Sequence, residues 1–211
     1  MIPARECPLC PRLSAFREAN RAQFPDWHNA PVPSFGDLSA PILVVGLAPG
    51  LRGANRTGRP FTGDFAGDVL YPALLKFGLA EGAFARDPAD GLTLKGVRVT
   101  NAVRCVPPEN KPTPAEQKTC RPFLADEIKA MPALRGILAL GRIAHDAVLA
   151  TLGLKLASAA FGHGALHDLP GGLVLADTYH TSRYNVNTGR LTPEMFDSVV
   201  SGLLARLHLL P

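Results

Sequence analysis

The sequence lacks an apolar run long enough to span a lipid bilayer, so we expect no membrane-spanning segment. Charged residues make up only 19% of the 211 residues and hydrophobic residues 46%, a balance that excludes a disordered chain. The first residues, MIPARECPLCPRL, lack the basic segment and apolar stretch of a secretory signal, so we expect a cytoplasmic protein. The length predicts a single domain that spans residues 1–211.

Two phosphate-binding signatures are missing as well. The chain contains neither a G-x-G-x-x-G nor a G-x-x-x-x-G-K-[ST] spacing. Their absence argues against binding of a dinucleotide or a nucleoside triphosphate. The formal net charge of +4 is compatible with a polyanionic partner such as nucleic acid, but it is also compatible with a merely basic surface.

The apolar pattern that is present predicts the fold class. Four short apolar runs predict buried β-strands at Ile42–Gly46, Val97–Asn101, Gly136–Leu140 and residues 173–177. Helical patterns follow at residues 67–79, 114–131, 142–152 and 193–209. Because crossovers between parallel strands need about a dozen residues or more, this alternation predicts parallel pairing. The expected fold is α/β, a three-layer α/β/α sandwich with a central four-stranded parallel sheet.

Candidate functional residues follow three of these strands, because ligands of open α/β sheets bind beyond the carboxyl ends of the strands. The loop at residues 46–64 contains glycines that permit close approach of the backbone to a ligand and arginines that could neutralise phosphate. Asn101 ends the second strand, and its amide can pair with the edge of a base. A structural loop and a capping asparagine are the alternative interpretations of these two features.

His180 is the candidate catalytic histidine, three residues past the fourth strand. In that position its imidazole could donate a hydrogen bond to a developing oxyanion or transfer a proton. The other histidines are interpreted as surface or packing residues: His28, His145, His163, His167 and His208.

The four cysteines are candidate metal ligands. Cys7 and Cys10 form a C-x-x-C pair, whereas fourteen residues separate Cys105 from Cys120. A zinc ribbon has two closely spaced pairs, so the wide second spacing favours a four-iron cluster, with zinc and then four unligated thiols as the alternatives. A metal bound here would tie the N-terminus to the loop after the second strand.

Four segments of the chain carry a resemblance to a known family: GLAPG, NRTGRPFTGD, TNAVRCVPPENKPTP and HTSRYNVNTGRLT. Together they resemble the type B, or family five, uracil-DNA glycosylases, which are iron–sulfur members of the uracil-DNA glycosylase superfamily. The resemblance extends from Cys7 to about the final predicted helix. It implies a parallel sheet between helices, a 4Fe-4S cluster on the four cysteines and excision of damaged bases from DNA.

The resemblance also implies roles for individual residues. Asn101 would recognise the flipped base, Phe61 would stack on it, and His180 would hydrogen-bond the carbonyl on which charge accumulates. Gly46 and Ala48 of the first motif would line the base pocket. The expected contacts with the DNA minor groove are Ser182, Arg183, Tyr184 and Asn185, and the candidates for phosphate contact are Arg56, Arg59, Arg183 and Arg190.

The first motif of this chain departs from that of other branches of the superfamily. For this reason the sequence does not identify the residue that positions the water. Those branches place an acidic or amide side chain just inside the first motif, where this chain has Leu47 and Ala48. We consider Asn55 and Asp64 as candidates and place Asn55 first, because the loop bends back around its glycines.

Before Lys111, the loops after the strands contain no lysine, which predicts a monofunctional enzyme without a Schiff-base intermediate. The resemblance implies uracil as the substrate, with hypoxanthine, xanthine and ethenocytosine as further candidates, and we expect a monomer. Two alternatives stay open: a redox protein whose cluster carries electrons, and a zinc-held nucleic-acid-binding module without glycosylase activity.

Overall fold

The computed structural model describes residues 2–209, which form seven strands and seven α-helices. In chain order the strands are β1 (Ile42–Gly46), β2 (Ala80–Glu81), β3 (Thr93–Leu94), β4 (Val97–Asn101), β5 (Gly136–Leu140), β6 (Leu166–Leu169) and β7 (Leu173–Thr178). The helices are α1 (Pro11–Gln23), α2 (Ala54–Thr57), α3 (Gly67–Lys76), α4 (Pro114–Lys129), α5 (Arg142–Thr151), α6 (Arg183–Asn187) and α7 (Pro193–Arg206).

The central sheet has five strands in the order β4-β1-β5-β7-β6. Strands β4, β1, β5 and β7 are parallel, as the apolar runs predicted, whereas β6 pairs antiparallel with β7. The sequence therefore predicted four of the five strands and missed the edge strand β6. Strand β6 reads LHDL, and only Leu169 is buried. It therefore lacks the continuous apolar run by which the parallel strands were predicted.

The sheet is buried on both faces, which is why its parallel strands are apolar throughout. One core packs α3 and α7 against Val44, Leu138 and Ala176. The other packs α4 and α5 against the alternate positions Leu43 and Ile137. The three-layer α/β/α arrangement predicted from the sequence is thus confirmed.

Helix α4 begins where its sequence signals place it. Thr113 accepts a hydrogen bond from the backbone N–H of Glu116, and the Glu116 carboxylate accepts one from the Thr113 N–H, which forms a capping box. Helix α1 was not predicted. Its buried positions, Leu13, Arg17 and Asn20, are mostly polar, so the helical period of apolar residues is absent there.

A buried ionic network joins the edge strand β4 to helix α4. Glu127 of α4 binds Arg98 of β4 at 2.7 Å and also binds Arg104, which is 1% exposed. Thr100 donates to the same carboxylate at 3.0 Å. Burial alone would raise the pKa of Glu127, but the charge of Arg104 and the hydrogen bonds lower it to about 2. The network fixes the end of β4, where Asn101 lies, relative to the helix that carries Cys120.

Within residues 2–209, no helix combines the length and the apolar character needed to cross a membrane.

Candidate active site

A cleft of about 510 Å³ opens at the carboxyl ends of β1, β4 and β7. Its walls bring together residues from all three loops that the sequence singled out. The lining includes Ala48, Phe61, Asp64, Asn101, His180, Ser182 and Arg183. The parallel register explains part of this convergence, since Gly46 at the end of β1 lies opposite Asn101 at the end of β4.

Asn101 presents an amide without a partner to this cleft. The residue is 4% exposed, and within residues 2–209 its Oδ1 atom has no hydrogen-bond partner. A buried polar atom left unpaired is costly, so it indicates a site whose partner is a ligand. A Cβ atom at Gly46 would lie 2.5 Å from Asn101 Oδ1 and 2.4 Å from Phe61 Cζ. The amide and the ring therefore converge on the one position of β1 that carries no side chain.

Phe61 is held in a backbone conformation that phenylalanine rarely adopts. Its φ of 53° lies in the left-handed region, and its side chain is buried. Neighbouring contacts impose this conformation, since Tyr71 donates to the Pro60 carbonyl at 2.5 Å and Thr57 donates to the Thr62 carbonyl at 3.0 Å. Strain of this kind is characteristic of functional sites, where surrounding contacts sustain it.

Arg59 does not face solvent, and its assignment as a phosphate contact is wrong. It is 6% exposed, and its guanidinium binds both carboxylate oxygens of Asp90 at 2.7 and 2.8 Å. The hydrogen bonds from Arg59 hold the pKa of Asp90 well below its usual range. This buried pair secures the loop that carries Phe61.

The two water-positioning candidates lie in different surroundings. Asn55 is 1% exposed, its amide donates to the side chain of Asn29 at 2.9 Å, and it does not line the cleft. Asp64 lines the cleft, and its Oδ2 would lie 2.1 Å from a Cβ at Gly53 and 2.7 Å from one at Gly50. Two glycines of the loop at residues 46–64, Gly50 and Gly53, thus make room for this carboxylate. Burial raises the pKa of Asp64, although a hydrogen bond from the Ala66 N–H opposes the shift.

His180, in the loop after β7, also lines the cleft. Burial lowers the pKa of His180, which favours the neutral imidazole. A neutral imidazole carries one N–H donor, which suits it to stabilise charge that develops on a carbonyl oxygen. The carbonyl of His180 accepts a hydrogen bond from the Asn185 side chain at 2.8 Å.

Among the remaining DNA-contact candidates, Ser182 and Arg183 line the cleft, and Asn185 and Arg190 line an adjacent cavity that shares His180. Ser182 caps α6 by accepting from the Asn185 N–H, and Tyr184 on this short helix is 72% exposed. Arg183 lies over the ring of Phe65, and Arg190 lies over the ring of Tyr179 at 4.5 Å. Arg56 is an exposed residue of the loop at residues 46–64.

Two polar residues near the site had not been singled out from the sequence: Asn110, which lines the cleft, and Arg142, which lines an adjacent cavity of about 310 Å³ that shares His180. Arg52 also lines the cleft; it belongs to the arginines of the loop at residues 46–64, although it was not among the individual candidates for phosphate contact. Asn110 adopts a left-handed backbone at φ 57°, and neither its exposure toward the cleft nor that conformation has a sequence signal.

All four cysteines line one small apolar pocket, together with Leu13, Val103 and Phe123. Burial, with a contribution from the neighbouring thiol of Cys120, raises the pKa of Cys10 to about 11. The Arg104 N–H donates to Cys120 Sγ at 3.4 Å, and the buried Arg17 approaches Cys105 Sγ at 4.0 Å.

Four thiolates are the donor set of both structural zinc sites and 4Fe-4S clusters, so the pocket that the four cysteines line suits either group.

Residues 33–204 match the family model described as the uracil DNA glycosylase superfamily. The match covers β1, β4, β5 and β7 and each of the three loops that form the cleft. The chain therefore belongs to the uracil-DNA glycosylase superfamily.

Curated relatives narrow this to one group. The chain is 51% identical over 201 residues to a type-5 uracil-DNA glycosylase of Thermus thermophilus, a match that covers 92% of this chain and 90% of the relative. It is 44% identical to a type-5 uracil-DNA glycosylase of Mycobacterium bovis (92% and 75% covered) and 42% identical to one of Pyrobaculum aerophilum (92% and 86% covered). The resemblance to family five inferred from the motifs is confirmed.

The convergence at Gly46 yields a first prediction. In Gly46→Ala the added methyl group overlaps Phe61 and Asn101, so we expect ligand binding in the cleft to be lost while the fold persists. The matched control is Gly202→Ala in α7, where a Cβ meets no atom within 4 Å. Excision of uracil from a duplex should fall by roughly 100-fold or more in the first variant, since displacement by about 1 Å can cost that much. Unchanged excision by Gly46→Ala would contradict this geometry.

Proposed function

We propose that this chain is a monofunctional uracil-DNA glycosylase, which hydrolyses the N-glycosidic bond of uracil flipped out of DNA. Its family and the names of its relatives support this activity. The observation that carries the proposal is the unpaired, buried Oδ1 of Asn101 beside the ring of Phe61.

Asn101 supplies base recognition in this proposal. Uracil presents an N3–H donor next to an O4 acceptor, and an asparagine side chain offers the complementary pair of an amide oxygen and an N–H group. The buried Oδ1 accepts from N3–H, and the ring of Phe61 stacks on the flipped base. Extrusion itself costs a few kcal/mol, and the cost is lower for a mispaired base, which adds selectivity for deaminated sites.

His180 and Asp64 divide the chemistry of bond cleavage. As the glycosidic bond breaks, electrons move to the base and negative charge accumulates on its O2 carbonyl. The neutral imidazole of His180 donates a hydrogen bond to that oxygen, and the donor is worth most in a site sheltered from water. The sugar becomes cationic, and the carboxylate of Asp64 stabilises it and orients the water that attacks C1′. Ala48 leaves the first motif without a polar side chain for that task.

Water is the nucleophile in this mechanism. Lysine is absent from the described residues that line the cleft, so no amine is available to form a Schiff base with the sugar. We therefore propose hydrolysis without strand cleavage. Hypoxanthine, xanthine and ethenocytosine are proposed as further substrates because Leu47 and Ala48 place no polar side chain at the mouth of the pocket.

A 4Fe-4S cluster is proposed on Cys7, Cys10, Cys105 and Cys120. The apolar pocket that all four thiols line supports it, together with the resemblance to the iron–sulfur branch of the superfamily. When bound, the cluster supplies a structural staple that joins the N-terminal segment to the loop after β4 and to helix α4. The residues that line the cleft give no specific support to the two alternatives, a redox protein and a zinc-held nucleic-acid-binding module.

DNA binding is proposed through basic and exposed groups around the cleft. Arg56, Arg183 and Arg190 contact phosphates, joined by Arg52, which lines the cleft itself. Tyr184 enters the minor groove beside the extruded nucleotide, which its 72% exposure supports. We propose that the chain acts as a monomer and that residues 1–211 form a single domain.

A glycosylase assay tests the function directly. The protein is incubated with a duplex that contains one uracil, the product is treated with alkali, and we expect cleavage at that position alone. His180→Ala should lower the single-turnover rate by roughly 100-fold or more while duplex binding changes little, because the donor acts on charge that develops only in the transition state. Asn101→Ala should lower the rate and relax base choice.

The control is His208→Ala, which removes an exposed histidine. Equal losses of binding and rate in His180→Ala would mean that the histidine only shapes the pocket. A covalent protein–DNA adduct trapped by borohydride would show that the mechanism is not hydrolytic.

The raised pKa of Asp64 predicts the acid limb of the rate profile. Because the carboxylate must be ionised, the cleavage rate should fall as the pH drops through a pKa above the ordinary aspartate value of 3.8. The folded state favours the protonated form, so Asp64→Asn should stabilise the protein at pH 7, and this gain should shrink as the pH falls toward 3.8. Asp26→Asn, which changes an exposed carboxylate, is the control. An identical acid limb in wild type and Asp64→Asn would remove Asp64 from the mechanism.

Metal analysis tests the cluster. The protein purified without oxygen should be brown and contain about four iron atoms per chain. Cys105→Ser should lose the colour and part of the thermal stability, because the staple between the N-terminal segment and α4 is broken. A colourless protein with one zinc per chain would contradict the proposal.

A further inference from the structure

The segment at residues 159–167 packs against the end of strand β7. This strand ends at Thr178, two residues before His180. The backbone of the segment pairs with Asp177, since the Gly164 N–H donates to the Asp177 carbonyl at 2.8 Å and the Asp177 N–H donates to Ala165 at 3.0 Å. This segment comes between α5 and β7 in the chain and includes the first residues of β6.

A buried imidazole–carboxylate network anchors this segment. The carboxylate of Asp177, which is fully buried, binds His145 Nδ1 at 2.7 Å and His167 Nε2 at 3.0 Å. The other nitrogen of His145 lies 3.0 Å from the carbonyl of Ala159, and the Gly162 N–H donates to Asp177 at 3.3 Å. Hydrogen bonds thus hold both ends of the segment. His145 of α5 binds Ala159 at its start, and Asp177 of β7 binds His167 at its end.

His163, at the middle of the anchored segment, binds the backbone of Tyr179, the residue before His180. Its Nδ1 atom accepts a hydrogen bond from the Tyr179 N–H at 3.3 Å, and the Thr178 hydroxyl lies at 3.3 Å from the same atom. The rings of His163 and Tyr179 are stacked, with centroids 4.8 Å apart and planes 13° from parallel. Because a backbone N–H can only donate, Nδ1 must be unprotonated and His163 must carry its proton on Nε2.

The backbone around His180 is therefore fixed from two sides. In the described part of the chain, the imidazole of His180 itself makes no hydrogen bond. Its orientation depends on the main chain, which His163 holds through Tyr179 before it and Asn185 holds through the His180 carbonyl after it. Displacement of a catalytic group by about 1 Å can reduce a rate by roughly 100-fold, so this support matters for chemistry.

We propose that His163 is a positioning residue for the excision reaction: it fixes the Tyr179 peptide group and thereby aims the imidazole of His180 at the departing base. The inference rests on the proposed function of His180, but the hydrogen bond itself is measurable without activity.

The test compares His163→Leu with His163→Asn. The Oδ1 atom of asparagine occupies the same position along the side chain as Nδ1 of histidine, so His163→Asn keeps an acceptor for the Tyr179 N–H, whereas leucine removes it. We expect His163→Leu to lower the single-turnover excision rate by about tenfold or more, with His163→Asn within about threefold of wild type. Binding to a duplex whose uracil nucleotide carries a 2′-fluorine, which resists cleavage, should change by less than about threefold in either variant. His208→Asn is the control, since it changes an exposed histidine with a left-handed backbone that asparagine tolerates.

Two readouts are independent of catalysis. Nitrogen-15 spectra of the wild-type protein should show His163 as the tautomer protonated at Nε2, and exchange of the Tyr179 amide hydrogen should accelerate in His163→Leu but not in His163→Asn. If wild type fails to excise uracil, only the proposed function is overturned, and both readouts still decide the hydrogen bond. If His163→Leu fails to fold, the tautomer of His163 in wild type decides it. Equal rates for the leucine and asparagine variants, parallel losses of binding and rate, or a His163 protonated at Nδ1 would overturn the positioning role. One equivalent of a divalent metal that is lost in His167→Asn would overturn the hydrogen-bonded anchor.

Discussion

The absence of a side chain at Gly46 is the constraint on which the site depends. Parallel pairing of β1 with β4 sets Gly46 opposite Asn101, and only a residue without a Cβ leaves room there for both the amide and the ring of Phe61. The sheet therefore does more than hold helices apart. It sets the distance between the group that reads a base and the group that stacks on it, and this distance is fixed before any ligand binds.

Buried ion pairs make that arrangement rigid. The pair of Arg59 with Asp90 holds the loop of Phe61, and Glu127 with its arginines holds the end of β4. Breaking such a pair leaves an uncompensated buried charge, which typically costs 3–5 kcal/mol, about a third of the stability of an ordinary domain. Charges in the interior of this protein thus serve to fix loops whose tips remain open for a ligand.

The sequence predicted the parallel strands within one residue, because strands buried on both faces must be continuously apolar. It did not predict β6, in which only Leu169 is buried, and it did not predict α1, whose buried positions are mostly polar. The positions of Asn101 and His180 after parallel strands marked them as candidates, and the family resemblance added Phe61; the structure places all three in one cleft. The sequence misassigned Arg59 and placed Asn55 ahead of Asp64, although of the two only Asp64 lines the cleft, since residue type and spacing do not tell which side of a glycine-rich loop a side chain faces. Contacts with distant partners, Asp90 and Asn29, decided both cases.

The left-handed backbone of Phe61 also limits which side chains this protein can accept at position 61. Glycine would relieve the conformational strain but forfeit the stacking surface, and β-branched residues are sterically excluded at such a φ. Evolution and protein engineering are left with a narrow choice at this position, essentially unbranched side chains of aromatic size. A change of base preference is therefore more accessible through the walls of the cleft than through the ring on which the base rests.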